Sequence, residues 1–260
     1  MILDEICEHK RAEVAEAKRA TPLSELSDRL ERVGEPRDFR QALRKPGVSL
    51  IAEVKRASPS KGVMLEDADA IALASLYERC GADAISVLTD EKFFKGTLSD
   101  LTSVHRTVEV PCIRKEFIID PYQIYEARAA AADAILLIVR ILSDEELVEY
   151  RELAETLGME ALVETHNAEE VERALAADAK IIGVNNRDLA TFEVDFRNTL
   201  ELKKMIPGGK VLVSESGIHT REHVRALEAG GVDAILVGEA FVTSNDIAAK
   251  MGELMGRNEG

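Results

Sequence analysis

Tryptophan is absent from the chain, and cysteine occurs only at Cys7, Cys80 and Cys112. An odd number, wide spacing and no C-x-x-C pair exclude a disulfide framework and a thiolate zinc site. Positive charge is also scarce: 33 Lys and Arg stand against 48 Asp and Glu, a formal net charge of -15. Affinity for nucleic-acid backbones comes mainly from Lys and Arg, so unselective nucleic-acid binding is excluded. An acidic protein takes an anionic ligand only where a few basic groups and backbone N–H donors converge in a cleft. No apolar run approaches the roughly 20 residues that span a bilayer. The start MILDEICEHK has no basic stretch followed by a long apolar one. Neither a membrane span nor a secretory signal is read, and a cytoplasmic protein is expected. There is no G-x-G-x-x-G after the first strand candidate and no P-loop, so nucleotide cofactors have no support.

What is present is ordinary globular composition, 46% hydrophobic and 31% charged, over 260 residues. That length is large for one compact domain but routine for an α/β barrel. The text repeats itself about every fifty residues: CGADAISV at Cys80, AAADAILLI at Ala130, AADAKIIGV at Ala176 and GGVDAILVG at Gly230 share a small-small-Asp-apolar pattern. Each copy ends an Ala-rich helical segment and opens an apolar run, and a second strand candidate lies between copies. The strands are expected at 48–55, 84–89, 110–115, 134–139, 160–164, 181–185, 211–215 and 234–237, with helices such as 68–80, 121–131, 143–157, 168–176 and 221–229 between them. Near-continuous apolar strands suit a parallel sheet covered on both faces. The expected fold is α/β, a single (β/α)8 TIM barrel over 46–260, with an open doubly wound sheet as the alternative. Residues 1–45 form an N-terminal helical extension. Its helix, 3–19, has Ile2, Leu3 and Ile6 near one face and either lies across the barrel or stands in solvent.

In a closed barrel the site forms at the C-terminal strand ends, so polar residues that finish apolar strands are the candidates. The period of two places Glu53 and Lys55 of the first strand on one face, pointing inward. Lys115 ends the third strand, Glu164 the fifth, Asn185 and Arg187 the sixth, and Glu215 the seventh. One charge at a strand end is an ordinary solvent-facing cap. Carboxylates and ammonium groups from several strands, facing one cavity, shift each other's pKa toward proton transfer. Ser216 and Gly217 after the seventh strand, with Gly238 after the eighth, sit where barrels offer backbone N–H groups to phosphate. Ser58-Pro59-Ser60-Lys61 fits S-x-x-K, but the accompanying K-T-G is absent. His219 and His223, expected four apart on a helix, lack the H-E-x-x-H context of a metal site.

At Ile51-Ala52-Glu53-Val54-Lys55-Arg56-Ala57-Ser58-Pro59-Ser60-Lys61-Gly62 the chain resembles the indole-3-glycerol-phosphate synthases. The likeness continues at 89–96 (TDEKFFKG), 114–120 (RKEFIID), 185–189 (NNRDL) and 214–218 (SESGI), spanning the whole chain including the extension. It implies closure of the indole ring in 1-(2-carboxyphenylamino)-1-deoxyribulose 5-phosphate, with loss of carbon dioxide and water and no cofactor. On the same basis Lys115 is the general acid at the substrate carbonyl oxygen. Glu164 assists proton removal and dehydration, and Glu53, Lys55 and Asn185 position the reacting groups. Lys55 and Ser58, with backbone near Ser216, Gly217 and Gly238, hold phosphate and carboxylate; Arg187 supports polar groups, and Glu215 and Glu239 complete the substrate site. Pro59, Phe94, Phe117 and Leu189 line a slot for the anthranilate ring. Glu239-Ala240 after Gly238 and Thr165-His166 after Glu164 depart from the family pattern.

The expected partner is a small phosphorylated substrate, with no metal, nucleic acid or membrane, in a monomer or weak homodimer. The residues alone leave open another phosphate-binding barrel: a sugar-phosphate isomerase, or an aldolase using Lys115 or Lys55 as Schiff-base nucleophile. A non-catalytic binding barrel is the third reading.

Overall fold

The computed structural model describes residues 2–59, 61–65, 68–188 and 193–257. Eight parallel strands close into a barrel. In chain order they are β1 (Ser49–Val54), β2 (Ala84–Leu88), β3 (Cys112–Lys115), β4 (Ala134–Ile138), β5 (Glu160–Thr165), β6 (Ile181–Asn185), β7 (Val211–Glu215) and β8 (Ala234–Val237), and β8 returns to pair with β1. The closed sheet decides against the open doubly wound alternative. Expected and observed strand limits agree within two residues. The largest difference is at β3, where Pro111 has no N–H to give the ladder and pairing begins at Cys112.

Two apolar sets alternate along the strands, as a period of two requires. Leu50, Ala52, Val54, Ile85, Val87, Ile135 and Leu137 face the helices. Ile51, Ala84, Ile113, Leu136, Leu162, Ile181, Val213 and Leu236 fill the barrel interior, closed from below by Phe39 and Leu43 beside the short helix Phe39–Ala42. Several of the helices begin where short polar side chains satisfy their first N–H groups: Thr97 and Ser143 form capping boxes, and Asn167 and Thr220 cap the helices Ala168–Ala176 and Arg221–Ala229.

The fifty-residue repeat has a physical cause. Asp83, Asp133 and Asp233 each accept the backbone N–H of the preceding strand, from Leu50 at 2.9 Å, Cys112 at 2.7 Å and Leu212 at 2.8 Å. The third copy differs from the pattern read in the sequence. Asp178 has φ +54° and takes the turn position held elsewhere by Gly81, Ala131 and Gly231, all with positive φ, so Lys180 stands where the others have Asp.

The N-terminal helix α1 (Ile2–Ala20) lies against the upper loops of the barrel, the first of its two expected placements. Lys10 is buried with Asp90 and Glu116 at 3.0 and 3.1 Å, Lys18 pairs with Asp120 at 2.6 Å, and the Tyr122 hydroxyl donates to the Thr21 carbonyl at 2.8 Å. Among the described residues no helix is long and apolar enough to cross a membrane. His219 precedes the helix Arg221–Ala229 rather than riding on it, because Thr220 is the N-cap; His223 stacks on Phe196 at 4.3 Å.

Candidate active site

The alternation that fills the barrel with Ile51, Ile113, Leu162 and Val213 continues upward two residues at a time. It delivers Glu53, Lys115, Glu164 and Glu215 to the floor of one cavity at the C-terminal strand ends. Asn185, after Ile181 and Gly183, arrives by the same step. The cavity measures about 180 Å³. Two inward glycines make room for the acids. A Cβ on Gly183 would stand 2.2 Å from Glu215 Oε1, and one on Gly238 would stand 2.8 Å from Glu53 Oε1.

Lys115 holds the centre. Its Nζ donates to Glu215 Oε2 at 2.8 Å and to Glu164 Oε2 at 3.1 Å. Burial opposes its charge, but Glu215, Glu164 and Glu53 outweigh that opposition and raise its pKa, so it is an ammonium ion. One cation cannot neutralise two buried carboxylates equally. Glu164, despite burial, is held below the usual carboxylate range by Lys115, His166 and the Asn185 side chain. Burial raises Glu215 to about 7 against the pull of Lys115, with the Glu164 charge adding to the rise. The trio is therefore poised with a fixed anion, a fixed cation and one carboxyl that takes up a proton near neutrality.

Lys55 lies 3.4 Å from Glu53 Oε1 and 5.8 Å from the centroid of the Phe94 ring. Phe94 and Phe117 face each other at 5.9 Å between centroids, tilted by 37°. With Pro59 they form an apolar wall, and Ser58, Arg187 and Ser216 complete the polar side of the cavity. The remaining expected residues stand farther out. Gly238 sits behind Glu53, Glu239 receives Arg187 Nη2 at 3.0 Å, and Gly217, with φ +78°, packs against Val194. Leu189 lies outside the described residues.

Some lining residues had no role in the sequence reading. Ile2, Leu3 and Ile6 of α1 roof the cavity, and Leu88, Leu136, Ile138 and Leu236 add barrel-interior surface. Glu116 also lines it; its Oε1 accepts from the Phe117 N–H at 2.8 Å and its Oε2 from the Thr89 hydroxyl at 2.8 Å. Lys10 holds Glu116 and Asp90 together, and Asp90 Oδ1 caps the short helix Glu91–Phe94 by accepting the Phe93 N–H at 2.7 Å. Both aromatic residues of the wall are thus tied to one buried lysine. Its signal was in the text: Leu3, Ile6, Lys10 and Val14 share a helical stripe, and a lysine within an apolar stripe requires buried acids opposite.

Comparison with known proteins separates likeness of fold from likeness of sequence. Solved structures of similar shape share the fold alone: 3-hexulose-6-phosphate synthase from Salmonella typhimurium (TM-score 0.65, 13% identity, 80% of this chain and 97% of that one) and thiamine phosphate pyrophosphorylase from Pyrococcus furiosus (TM-score 0.61, 16% identity, 85% and 98%). Sequence relatives are much nearer. The indole-3-glycerol phosphate synthase of Roseiflexus castenholzii is 51% identical over 265 residues, covering 98% of each chain. That of Thermoanaerobacter pseudethanolicus is 45% identical over 260 residues, covering 100% of this chain and 99% of its own. The family model described as indole-3-glycerol phosphate synthase matches residues 3–254, and with these relatives along its full length the chain belongs to the indole-3-glycerol phosphate synthase family.

Proposed function

We propose that the protein closes the indole ring of 1-(2-carboxyphenylamino)-1-deoxyribulose 5-phosphate, releasing carbon dioxide and water to form indole-3-glycerol phosphate in tryptophan biosynthesis. The observation that supports this most is the Lys115 ammonium between Glu164 and Glu215, beside the Phe94–Phe117 wall. An aromatic carbon attacks a ketone only if the developing alkoxide is stabilised, and a fixed ammonium ion can hydrogen-bond to it and protonate it. Carbon dioxide then leaves the same carbon and restores the aromatic ring. Loss of the hydroxyl as water, with removal of a proton, completes the indole. Glu164, kept ionised, is assigned that proton removal, and Glu53, Lys55 and Asn185 position the reacting groups.

The rest of the site suits a substrate with an aromatic carboxylate at one end and a phosphate at the other. Pro59, Phe94 and Phe117 are assigned to the ring, as is Leu189 from the family likeness. Lys55, Ser58, Arg187 and the backbone at Ser216, Gly217 and Gly238 are assigned to the anionic groups, with Glu239 steadying Arg187. Glu215, able to exchange a proton near neutrality, is assigned to keeping Lys115 supplied. A Schiff-base aldolase would need a lysine of lowered pKa, and Lys115 is shifted the other way. As a biosynthetic enzyme the protein is placed in the cytoplasm, as a monomer or weak homodimer.

The test is direct, because a chain without tryptophan leaves a dark background for indole emission. Incubation with the carboxyphenylamino substrate should produce indole fluorescence, and Lys115→Met and Glu164→Gln should each lower kcat by roughly 10²–10⁴-fold. Retention of wild-type turnover in Lys115→Met would refute the assignment.

A further inference from the structure

His166 lies two residues beyond Glu164, on the inward-facing alternation of β5, and is 5% exposed. Its Nδ1 is 2.9 Å from Glu170 Oε2, which also accepts the His166 backbone N–H at 2.8 Å. The other Glu170 oxygen accepts from Arg140 Nε at 2.9 Å and from the Asn167 amide at 3.1 Å. Burial opposes the Glu170 charge, but His166 and Arg140 outweigh it and hold the carboxyl below its usual range. An imidazole nitrogen beside such an anion is the protonated one.

The other nitrogen decides the state of the ring. Nε2 is buried, makes no hydrogen bond among the described residues, and lies 3.5 Å from Glu164 Oε1. As a bare lone pair it would face a carboxylate oxygen; as an N–H it faces an acceptor. The charged groups around the ring are Glu164, Glu170 and, from the turn after β4, Arg140; Asn198 reaches only the His166 carbonyl, donating at 3.2 Å. Burial works against the cation, and the two acids outweigh it together with Arg140, so the ring pKa rises.

We propose that His166 is a positioning residue for the ring-closing reaction: a buried imidazolium that holds Glu164 through Oε1 and so presents Oε2 to Lys115 and the cavity. This rests on the role given to Glu164 above. It differs from a plain helix-start role, in which His166, Asn167 and Glu170 only organise the beginning of the helix Ala168–Ala176. That role uses Nδ1; the proposal depends on Nε2.

Two amide substitutions separate these roles, since a glutamine amide reaches the place of Nε2 and an asparagine amide the place of Nδ1. His166→Asn keeps the contact to Glu170 and loses the one to Glu164. It should lower kcat roughly ten- to a hundredfold, the cost of letting a reacting group shift by up to about an ångström. It should also shift the acid limb of the kcat profile to higher pH, because Glu164 loses a cation that keeps it ionised. His166→Gln, which keeps an N–H donor toward Glu164 Oε1 though not the charge, should retain more of the turnover than His166→Asn. Equal losses, or the reverse order, overturn the proposal. In the intact wild-type protein, 15N NMR near neutral pH should show both His166 ring nitrogens protonated, with the resonances identified by their absence from His166→Asn. A bare Nε2 overturns the proposal whether or not the variants fold. Full activity in Glu164→Gln would instead overturn the role of Glu164 itself, a failure distinguishable from the protonation state of the ring.

Discussion

Replacing Lys10 by methionine should be among the most damaging single changes outside the barrel. The ammonium group is 1% exposed and faces Asp90 at 0% and Glu116 at 1%, at 3.0 and 3.1 Å. Glu116 would keep the Thr89 hydroxyl, the Phe117 N–H and, at 3.7 Å, Arg114 Nη2. Asp90 Oδ2 makes no hydrogen bond among the described residues and would lose the cation beside it. Removing one partner of a buried ion pair costs about 3–5 kcal/mol, because the other charge is left desolvated. At this chain length that is a fall of roughly 6–20 °C in Tm. The comparison is Arg11→Met, whose pair with Glu8 is exposed and should be worth at most about 0.5 kcal/mol. Urea unfolding of both variants at neutral pH measures the difference. Burial opposes the Lys10 charge, yet Glu116, Asp90 and Glu13 raise its pKa above 10.5. A raised amine contributes its stability in full below the unfolded value and loses it as pH climbs through the folded one. The gap between wild type and Lys10→Met should therefore hold through neutrality and narrow only above about 10.5. Lys10→Met/Asp90→Asn should recover part of the loss, since asparagine also caps helices. A Lys10→Met protein no less stable than Arg11→Met would refute the assignment of Lys10 as the link between α1 and the two loops.

Two further outcomes follow from the cavity floor. Gly183→Ala should push Glu215 away from Lys115 and lower kcat/KM by up to about a hundredfold, the cost of misplacing a reacting group by an ångström; steady-state kinetics equal to wild type would contradict the steric reading. Glu215→Gln should alter the pH dependence of stability. Burial raises the folded pKa to about 7 from an ordinary 4.5, so the folded state binds the proton more tightly and wild-type stability declines between those values as pH rises. The variant lacks that decline, so its stability relative to wild type should improve from pH 4.5 to pH 7.5 in urea titrations, and a flat difference would count against a raised Glu215.

The eight strands were legible because each is a short apolar run bounded by turn residues. The inward direction of Glu53, Lys115, Glu164, Asn185 and Glu215 follows from a period of two counted from Ile51, Ile113, Leu162, Ile181 and Val213. What stayed hidden depends on partners distant in the chain. Lys10 reads as one more charge on a charged helix until Asp90 and Glu116, about eighty and a hundred residues later, are brought against it. Glu116 follows the catalytic candidate Lys115 directly, yet its place was set by Thr89 of the neighbouring loop. His166 stood in the text as a departure after Glu164, and only the fold shows its two nitrogens between two acids. The repeat misled at one point, since the letters AAD at 176–178 match the pattern while the backbone places Asp178 in a left-handed turn.

The aspartates at the base of the barrel divide the sheet unevenly. Asp83, Asp133 and Asp233 fasten β1 to β2, β3 to β4 and β7 to β8, each by one side-chain clasp. At the matching place between β5 and β6, Lys180 offers no such acceptor to the neighbouring strand. Of the four repeated turns, the one between the strands bearing Glu164 and Asn185 is thus the one without a carboxylate rivet, and this seam is tied higher up instead, where the Thr165 hydroxyl donates to the Gly183 carbonyl at 2.9 Å.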